Sequence, residues 1–454
     1  MNEKVIVLHP SLTTAQNGDG ATARNFERDA DAALEEAQGL ARAIDLDIVH
    51  AEIVKLKTAT PATLLGSGVV QRVTDMIHAY HDNGETVGLV YVDCALSPVQ
   101  QRNLEKEWHA KVIDRTGLIL EIFGARARTR EGKLQVDLAA LNYQRSRLVK
   151  AWSHLERQRG GGGFTGGPGE TQKELDRRML DDRIKKLKTE LEKVRQNRAI
   201  QRSARKREPY PVVAIVGYTN AGKSTLFNRI TGAEVFAKDF LFATLDTTLR
   251  ALKLPSGKKA VLSDTVGFIS DLPTHLVAAF RATLEEVLEA DVILHVRDVS
   301  AQNTEAEKED VLVILRDLGI DGESDPRMVE VLNKIDKLPA RERKAAVARS
   351  GRSANAVAIS AVTGEGIDGL LETIDGLLGK DRLAMQADIS LADGKALAWL
   401  YARGQVTERK DDDEWARVRV LLDPADVERF GAQFPYKLTK AKTATKKKKA
   451  KKAS

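Results

Sequence analysis

A glycine-rich run at residues 217–224 has the residue types that hold a phosphate chain. It follows an apolar run at 210–216, which predicts a buried strand, and precedes a predicted helix at 224–230. In such a unit, backbone N–H groups and the positive end of the helix face the same anion. We expect Lys223 to reach the β- and γ-phosphates and the Ser224 hydroxyl to bind Mg²⁺. The predicted phosphate-binding residues are Gly217, Tyr218, Thr219, Asn220, Ala221, Gly222, Lys223 and Ser224.

Two later motifs, each after a predicted strand, have the chemistry to select a base. Asp336 can accept two hydrogen bonds, from the N1–H and the exocyclic amine of guanine, which adenine cannot provide. We expect Asn333 to brace this loop and the stretch at 360–362 to place a backbone N–H near the guanine oxygen. The predicted base-binding residues are Asn333, Lys334, Ile335, Asp336, Ser360, Ala361 and Val362. The sequence therefore predicts a site for GTP and GDP.

A third motif, Asp264, Thr265, Val266 and Gly267, follows a predicted strand at residues 259–262. The Asp264 carboxylate would join the magnesium shell through water, and the Gly267 amide would meet the γ-phosphate. Many GTPases have a water-orienting glutamine at the next position, where this chain has Phe268. A phenyl ring cannot polarise water, so we expect slow hydrolysis unless a rearranged switch or a partner supplies the missing group. The alternative is that Phe268 packs outward and another side chain orients the water.

The segment at 241–248 lies where a nucleotide switch belongs. We predict that Thr244 binds Mg²⁺ and the γ-phosphate only in the GTP state, so that hydrolysis releases the loop. Thr247 and Thr248 are the alternatives. The nucleotide-binding residues predicted here are Phe242, Ala243, Thr244, Leu245 and Asp246. The predicted catalytic residues of the whole site are Lys223, Thr244 and Gly267, and the predicted metal ligands are Ser224 and Thr244.

The elements around these motifs predict a multidomain α/β protein. A doubly wound GTPase sheet at 208–380 is preceded by an α/β domain at 1–125 and a helical hairpin at 126–207, and followed by an α/β unit at 387–436. In the first domain, strands are expected at 5–8, 46–49 and 87–92, and helices at 32–44 and 69–79. A further strand is expected at 416–422. The lysine-rich tail, 437–454, cannot form a core and is expected to be disordered.

Two apolar stripes at helical spacing indicate the hairpin. They consist of Leu134, Leu138, Leu141, Leu148, Trp152 and Leu155, then Leu180, Ile184, Leu187, Leu191 and Val194. Between them lies a Gly-rich tip at 160–169, which contains Phe164, and a capping box at 171–174 would restart the helix. Residues 126–207 carry 23 Lys/Arg against 10 Asp/Glu, a net charge of +13. A plain glycine-rich linker is the alternative interpretation, but two in-phase stripes favour a basic probe for nucleic acid.

Composition narrows the remaining possibilities. The 454 residues suggest two to four domains, and 42% hydrophobic with 30% charged residues is typical of a soluble globular protein. The single cysteine, Cys94, excludes an internal disulfide framework, and no Cys/His spacing suggests structural zinc. We see neither a signal peptide nor an apolar run long enough to span a membrane. We therefore expect a cytoplasmic monomer, part of it peripheral to the membrane.

Several long runs resemble the HflX family of GTPases over about residues 5–380. They lie at 96–105, 114–116, 126–135, 167–172, 176–178, 264–273 and 276–286. The resemblance implies a GTPase that binds the large (50S) ribosomal subunit and the 70S ribosome and that splits or rescues stalled ribosomes under stress. It also implies that the hairpin reaches toward the peptidyl-transferase centre, with Arg157, Arg159, Arg177, Arg178 and Arg183 as candidate rRNA contacts. Related GTPases with an apolar residue at the glutamine position often bind K⁺ through the residue equivalent to Asn220.

Two other hypotheses stay open. The chain could be a GTP-switched assembly or checkpoint factor for the large subunit, with hydrolysis used only for release. It could also be an ATP-dependent RNA-remodelling enzyme that acts through its N-terminal domain. The segment at 65–69 lacks the lysines that family members often have there, which weakens the case for a second nucleotide site.

Overall fold

The computed structural model describes residues 3–12, 29–158, 168–205, 210–232, 241–242, 248–270, 284, 286–352, 355–379, 382–422 and 424–441. These residues fall into two compact units. The first comprises those within Met1–Arg250 and Leu262–Glu365, and the second those within Ala251–Val261 and Gly366–Ser454. Among the helices described, none combines the length and apolar character that a bilayer crossing requires.

The first unit begins with a four-stranded parallel sheet in the order β2-β1-β3-β4. Its elements are β1 (Lys4–Leu12), α1 (Ala30–Arg42), β2 (Asp47–Leu56), α2 (Ser67–Asp82), β3 (Val87–Val92), α3 (Pro98–Trp108), β4 (Lys111–Asp114) and α4 (Arg115–Arg126). Alternate residues of β1 face opposite sides: Val5 and Val7 join the core with α1 and α4, and Ile6 and Leu8 the core with α2 and α3. Such burial on both faces is typical of parallel sheets.

Two long helices follow, α5 (Arg130–Gln158) and α6 (Pro168–Arg205). An ion pair of 3.1 Å between Arg145 and Asp181 joins positions that are equidistant from the connection, so the pair forms the predicted antiparallel hairpin. Leu141 and Ile184 are among its buried apolar residues. The helix restart expected at residues 171–174 is wrong: α6 already begins at Pro168, and proline is compatible with a first helical turn. The predicted tip residue Phe164 lies outside the described residues.

The next part of the chain forms a six-stranded sheet in the order β10-β9-β8-β5-β7-β6, of which residues 251–261 belong to the second unit. Its elements are β5 (Val212–Gly217), α7 (Lys223–Thr231), β6 (Thr248–Lys253), β7 (Lys259–Asp264), β8 (Val292–Asp298), α8 (Thr304–Asp317), β9 (Met328–Asn333), α9 (Ala340–Ser350) and β10 (Ala356–Ala358). β7 lies on one side of β5 and β8 on the other. The crevice beyond the carboxyl end of β5 is therefore the topological switch point, where ligands of such sheets bind.

The second unit contains an antiparallel sheet in the order β12-β13-β11-β14. Its elements are α10 (Ile367–Leu378), β11 (Leu383–Ser390), α11 (Gly394–Arg403), β12 (Gln405–Asp411), β13 (Trp415–Leu422), α12 (Pro424–Gln433) and β14 (Thr439–Lys440). The strand predicted at 416–422 is β13. Ile389, Leu400, Val418 and Phe430 lie in its fully buried core.

Candidate nucleotide-binding site

The loop between β5 and α7 has a backbone path that requires glycine at two points. Gly222 has a φ of +91°, and a Cβ there would lie 2.3 Å from Nδ2 of Asn333. A Cβ on Gly217 would lie 2.2 Å from the carbonyl oxygen of Val296 in β8. Both contacts are shorter than atoms tolerate, so any larger side chain would displace the loop from its neighbouring strands. The loop is thus held close to the sheet, with its end at the N-terminus of α7.

Lys223 lies inside this loop rather than at its surface. Its Nζ donates to the carbonyl oxygen of Tyr218 over 2.6 Å. Burial lowers the pKa of Lys223 to about 8, and the nearby Asp264 carboxylate offsets only part of this effect. A poorly solvated cation has few competing partners and can contact phosphate oxygens strongly.

We expect the affinity for GTP to fall as the pH rises through the pKa of Lys223. Phosphate binding favours the protonated amine, so binding above about pH 8 must take up a proton. The Kd should rise about tenfold between pH 7 and pH 9, because the protonated fraction falls about tenfold over that range. Calorimetry in buffers of different ionisation enthalpy would detect the proton.

The matched control is Lys223→Arg, whose guanidinium stays charged over this range while all other groups titrate as before. Its Kd should be much less sensitive to pH. A wild-type Kd that stays constant from pH 7 to pH 9 would contradict the assignment of this proton to Lys223.

The residues present fit a magnesium ion. Asp264 is fully buried at the end of β7, and its Oδ2 accepts a hydrogen bond of 2.9 Å from the Ser224 hydroxyl. These adjacent oxygens, one charged and one neutral, are the ligand type that Mg²⁺ prefers alongside phosphate. Ser224 would hold the ion directly and Asp264 would hold it through water.

The segment after Asp264 is attached to the loop by its backbone. The Thr219 N–H donates to the carbonyl oxygen of Phe268 over 2.6 Å, and the Phe268 N–H donates to that of Gly217 over 3.1 Å. A Cβ on Gly267 would lie 2.9 Å from Cγ2 of Thr219 and 3.0 Å from Nζ of Lys223. Gly267 therefore lies close to the amine that we expect to bind the γ-phosphate.

Phe268 does not pack outward. Its side chain is 4% exposed and belongs to the apolar core that includes Val266 and Ile269. A buried ring can neither contact nor orient a water molecule. The alternative in which Phe268 simply points to solvent is therefore wrong.

The base-binding motifs meet through Asn333. Its Nδ2 donates to the carbonyl oxygen of Ala221 over 2.8 Å, and its Oδ1 accepts from the Ala361 N–H over 3.0 Å. Asn333 thus braces the phosphate loop against the motif at residues 360–362. The Ala361 amide, which we expected near the guanine oxygen, is already engaged by Asn333. Val362 beside it is 68% exposed.

The rest of this loop leaves its acid accessible. Lys334 has a φ of +65°, and its Nζ lies 2.7 Å from Oδ2 of Asp298. Ser360 is fully buried, and Ile335 fills an apolar pocket with Leu332 and Ala358. Asp336 follows in a short 3₁₀ turn, Ile335–Lys337, and is exposed. The buried Ile335 side chain anchors this loop to the core, and the Asp336 carboxylate stays accessible to a ligand.

Part of the predicted switch lies outside the described residues, namely Ala243, Thr244, Leu245, Asp246 and Thr247. Phe242 is described, and its ring packs edge-to-face on Phe123 of α4 with the centroids 4.7 Å apart. The alternative switch residue Thr248 begins β6. Thr265 donates its hydroxyl hydrogen to the carbonyl oxygen of Ile215 in β5. Asn220 is exposed and has a φ of +57°.

Three polar residues that no sequence motif predicted contact this site from outside its motifs. Glu36 and Arg115 come from the first sheet domain, and Ser270 follows Phe268. The one available signal was Arg115 itself, a charged residue between an apolar strand and an apolar helix. Its partners are too distant in the chain for periodicity to identify them.

Together the doubly wound sheet, the glycine-constrained loop and the exposed acid Asp336 at the end of its anchored loop are typical of a P-loop GTPase. Four family models match consecutive parts of the chain: "GTP-binding GTPase N-terminal" at 31–124, "GTP-binding GTPase Middle Region" at 126–205, "50S ribosome-binding GTPase" at 212–334 and "HflX C-terminal domain" at 345–440. The chain belongs to the HflX family of ribosome-binding GTPases, and it hydrolyses GTP.

Two relatives agree with this assignment. The GTPase HflX of Magnetococcus marinus is 46% identical over 411 residues, which cover 89% of this chain and 93% of the relative. The GTPase HflX of Escherichia coli K12 is 40% identical over 403 residues, with coverage of 88% and 92%. A GTP-binding protein from Sulfolobus solfataricus, solved with GDP, is 23% identical, with a TM-score of 0.43 over 82% of this chain and 98% of that one.

Proposed function

We propose that this GTPase binds the large ribosomal subunit through its basic hairpin and uses a GTP-driven switch to split or rescue stalled 70S ribosomes. The hairpin is the observation that carries the proposal. The 38 residues of α6 extend roughly 57 Å, at about 1.5 Å per residue. Exposed basic side chains follow this helix: Arg177, Arg178, Arg183, Lys185, Lys186, Lys188 and Lys193. A narrow rod with this charge is suited to an rRNA cavity, where phosphates attract its sides.

In this proposal the nucleotide site works mainly by positioning. The loop amides and Lys223 hold the phosphate chain, and Asp336 selects guanine over adenine. Bound Mg²⁺, held by Ser224 and Asp264 and by Thr244 in the GTP state, would neutralise charge that develops on the phosphates. The Gly267 amide donates a hydrogen bond to the γ-phosphate and loses that bond when the phosphate is released. No side chain at position 268 orients the attacking water, so the ribosome supplies or rearranges that group.

GTP turnover with and without ribosomes tests the proposal. We expect slow turnover by the protein alone and about 10³-fold stimulation by 50S or 70S particles, as when a partner supplies a missing catalytic group. Reversing two exposed hairpin charges, Lys185→Glu with Lys188→Glu, should weaken ribosome binding and reduce its salt dependence. Turnover without ribosomes should not change in this variant.

The matched control reverses two exposed charges on α9, Arg341→Glu with Lys344→Glu, and should leave ribosome binding intact. Normal GTP binding without stimulation by any ribosomal particle would refute the proposal. Strong stimulation without release of free subunits from 70S ribosomes would instead favour the assembly-factor hypothesis.

We also propose that Asn220 contributes to a K⁺ site beside the phosphate loop. Asn220 is exposed in this loop and has a left-handed backbone, with a φ of +57°. Hydrolysis should then be faster in KCl than in NaCl at equal ionic strength. Equal rates of hydrolysis in the two salts would contradict the proposed K⁺ site.

A further inference from the structure

A buried polar cluster joins the first sheet domain to the nucleotide site. Arg115, 7% exposed, lies at its centre. Its guanidinium donates to Oδ1 of Asp93 over 2.6 Å and also to Glu36 of α1. The same group donates to the hydroxyl of Ser270 over 2.7 Å and to its carbonyl oxygen over 3.3 Å. One side chain thus binds two acids of its own domain and the segment that follows Phe268.

The phosphate loop enters the same cluster through Tyr218. Its phenol donates to Glu36 and accepts a hydrogen bond of 2.9 Å from the Ser270 N–H. The Ser270 hydroxyl lies 3.0 Å from Oε1 of Glu36. Because the backbone of Phe268 is also paired with that of the loop, residues 264–270 cannot shift without changing these contacts.

The residue before Arg115, Asp114, connects to the hairpin instead of the nucleotide site. Asp114, 2% exposed, accepts a hydrogen bond of 2.7 Å from the Tyr143 hydroxyl and one of 3.1 Å from Arg147, and both donors lie on α5. Asp114 also caps α4 by accepting from the Gly117 N–H over 2.8 Å. Two consecutive residues at the junction of β4 and α4 therefore bind the nucleotide site and the hairpin, respectively.

We propose that Asp114 and Arg115 form a mechanical link that transmits the identity of the bound nucleotide to α5. Gly267 lies close to Lys223, at the expected position of the γ-phosphate. Binding of the γ-phosphate by the Gly267 amide therefore moves the backbone at a point three residues before Ser270. Ser270 then changes its contacts with Arg115, and the junction that carries both residues moves with α4. Buried charges that are paired with one another have few alternative arrangements, which makes such a cluster respond in discrete steps.

A second contact strengthens the link on the side of the switch. Phe242 packs on Phe123 of α4, and Leu241 packs on α1 where a Cβ on Gly39 would lie 3.1 Å from its Cδ1. Residues 241–242 and residues 264–270, the two segments expected to lie near the γ-phosphate, are thus both attached to helices of the first sheet domain. The link concerns signal transfer within this chain and does not depend on ribosome splitting.

Hydrogen exchange in the full chain tests the link without any ribosome. Residues 134–147 of α5 should exchange at rates that differ about fivefold or more between the GDP complex and a complex with guanylyl imidodiphosphate. Ser270→Ala removes the hydroxyl that Arg115 and Glu36 bind. It should reduce this difference to less than about twofold, since the coupling free energy is lost.

Two further variants separate coupling from simple destabilisation. Tyr143→Phe leaves the nucleotide site untouched but removes one bond to Asp114, and it should reduce the nucleotide-dependent difference as Ser270→Ala does. Ser350→Ala, at a hydroxyl that bonds within α9, should keep the wild-type difference. A general loss of stability would raise exchange equally with both nucleotides. The proposal fails if wild-type α5 ignores the nucleotide, or if Ser270→Ala and Tyr143→Phe both retain the wild-type difference.

Discussion

Asp336→Asn is expected to lower the affinity for GTP by roughly 10²–10³-fold and to transfer the preference of the site to xanthosine triphosphate. The carboxylate is exposed at the end of an anchored loop and can accept from both guanine donors. Asparagine offers one acceptor and places its own donor opposite the exocyclic amine of guanine. Xanthine has an oxygen at that position, so it restores a complementary pair. Fluorescence titration with both nucleotides measures the change.

The exposed Asp317→Asn on α8 removes the same charge from the same fold and should change neither affinity. Adenosine triphosphate should bind weakly to all three proteins. If Asp336→Asn retained wild-type affinity for GTP, the Asp336 carboxylate would not select the base, and the assignment of this loop to base binding would be wrong.

Arg115→Met is expected to lower the free energy of unfolding by about 3–5 kcal/mol, the usual cost of leaving a buried charge without its partner. Burial alone would raise the pKa of Asp93, but the Arg115 guanidinium and the His9 hydrogen bond outweigh it and hold the pKa well below its usual range. Removing Arg115 leaves Asp93 and Glu36 facing one another without their shared cation. Urea unfolding followed through the buried Trp108 would report the loss.

The stability lost in Arg115→Met should depend on pH in a defined direction. A carboxylate with a depressed pKa stabilises the fold above the pKa of the unfolded chain, and that stability is lost as the pH falls through the folded value. In Arg115→Met the pKa of Asp93 rises, so the folded variant binds a proton at a higher pH than the folded wild type does. The difference in free energy of unfolding between the two proteins should therefore become smaller as the pH falls. Arg316→Met is the control, since its 2.7 Å pair with Glu309 is exposed and should contribute less than about 1 kcal/mol.

The parts of this protein that sequence could predict are those with local signals. The phosphate loop has its chemistry in eight consecutive residues, and the strands that precede the motifs are mostly apolar. Leu134, Leu141, Ile184 and Leu191 repeat at helical spacing, and all four are buried in the structure. In each case the residue type and its neighbours determine the outcome, and tertiary contacts only reinforce it.

The interface around Arg115 could not be predicted in this way. Arg115 and Ser270 are 155 positions apart, and Glu36 and Ser270 are 234 apart, so no spacing rule connects them. The same limitation explains Phe268. From sequence it was only a missing glutamine, whereas its burial depends on how residues from several elements pack.

The pairing of Arg115 with Asp93 and Glu36 also affects how the chain folds during synthesis. Because these charges pair within the first sheet domain, that domain can close its polar centre as soon as α4 has emerged. Phe242 and Ser270 follow more than a hundred residues later, and at 5–20 residues per second the delay is roughly 6–30 s. Throughout that interval Phe123 of α4 lacks the Phe242 ring that packs on it in the complete fold. The speed of elongation, rather than the final stability, therefore sets how long this apolar surface can associate with other molecules.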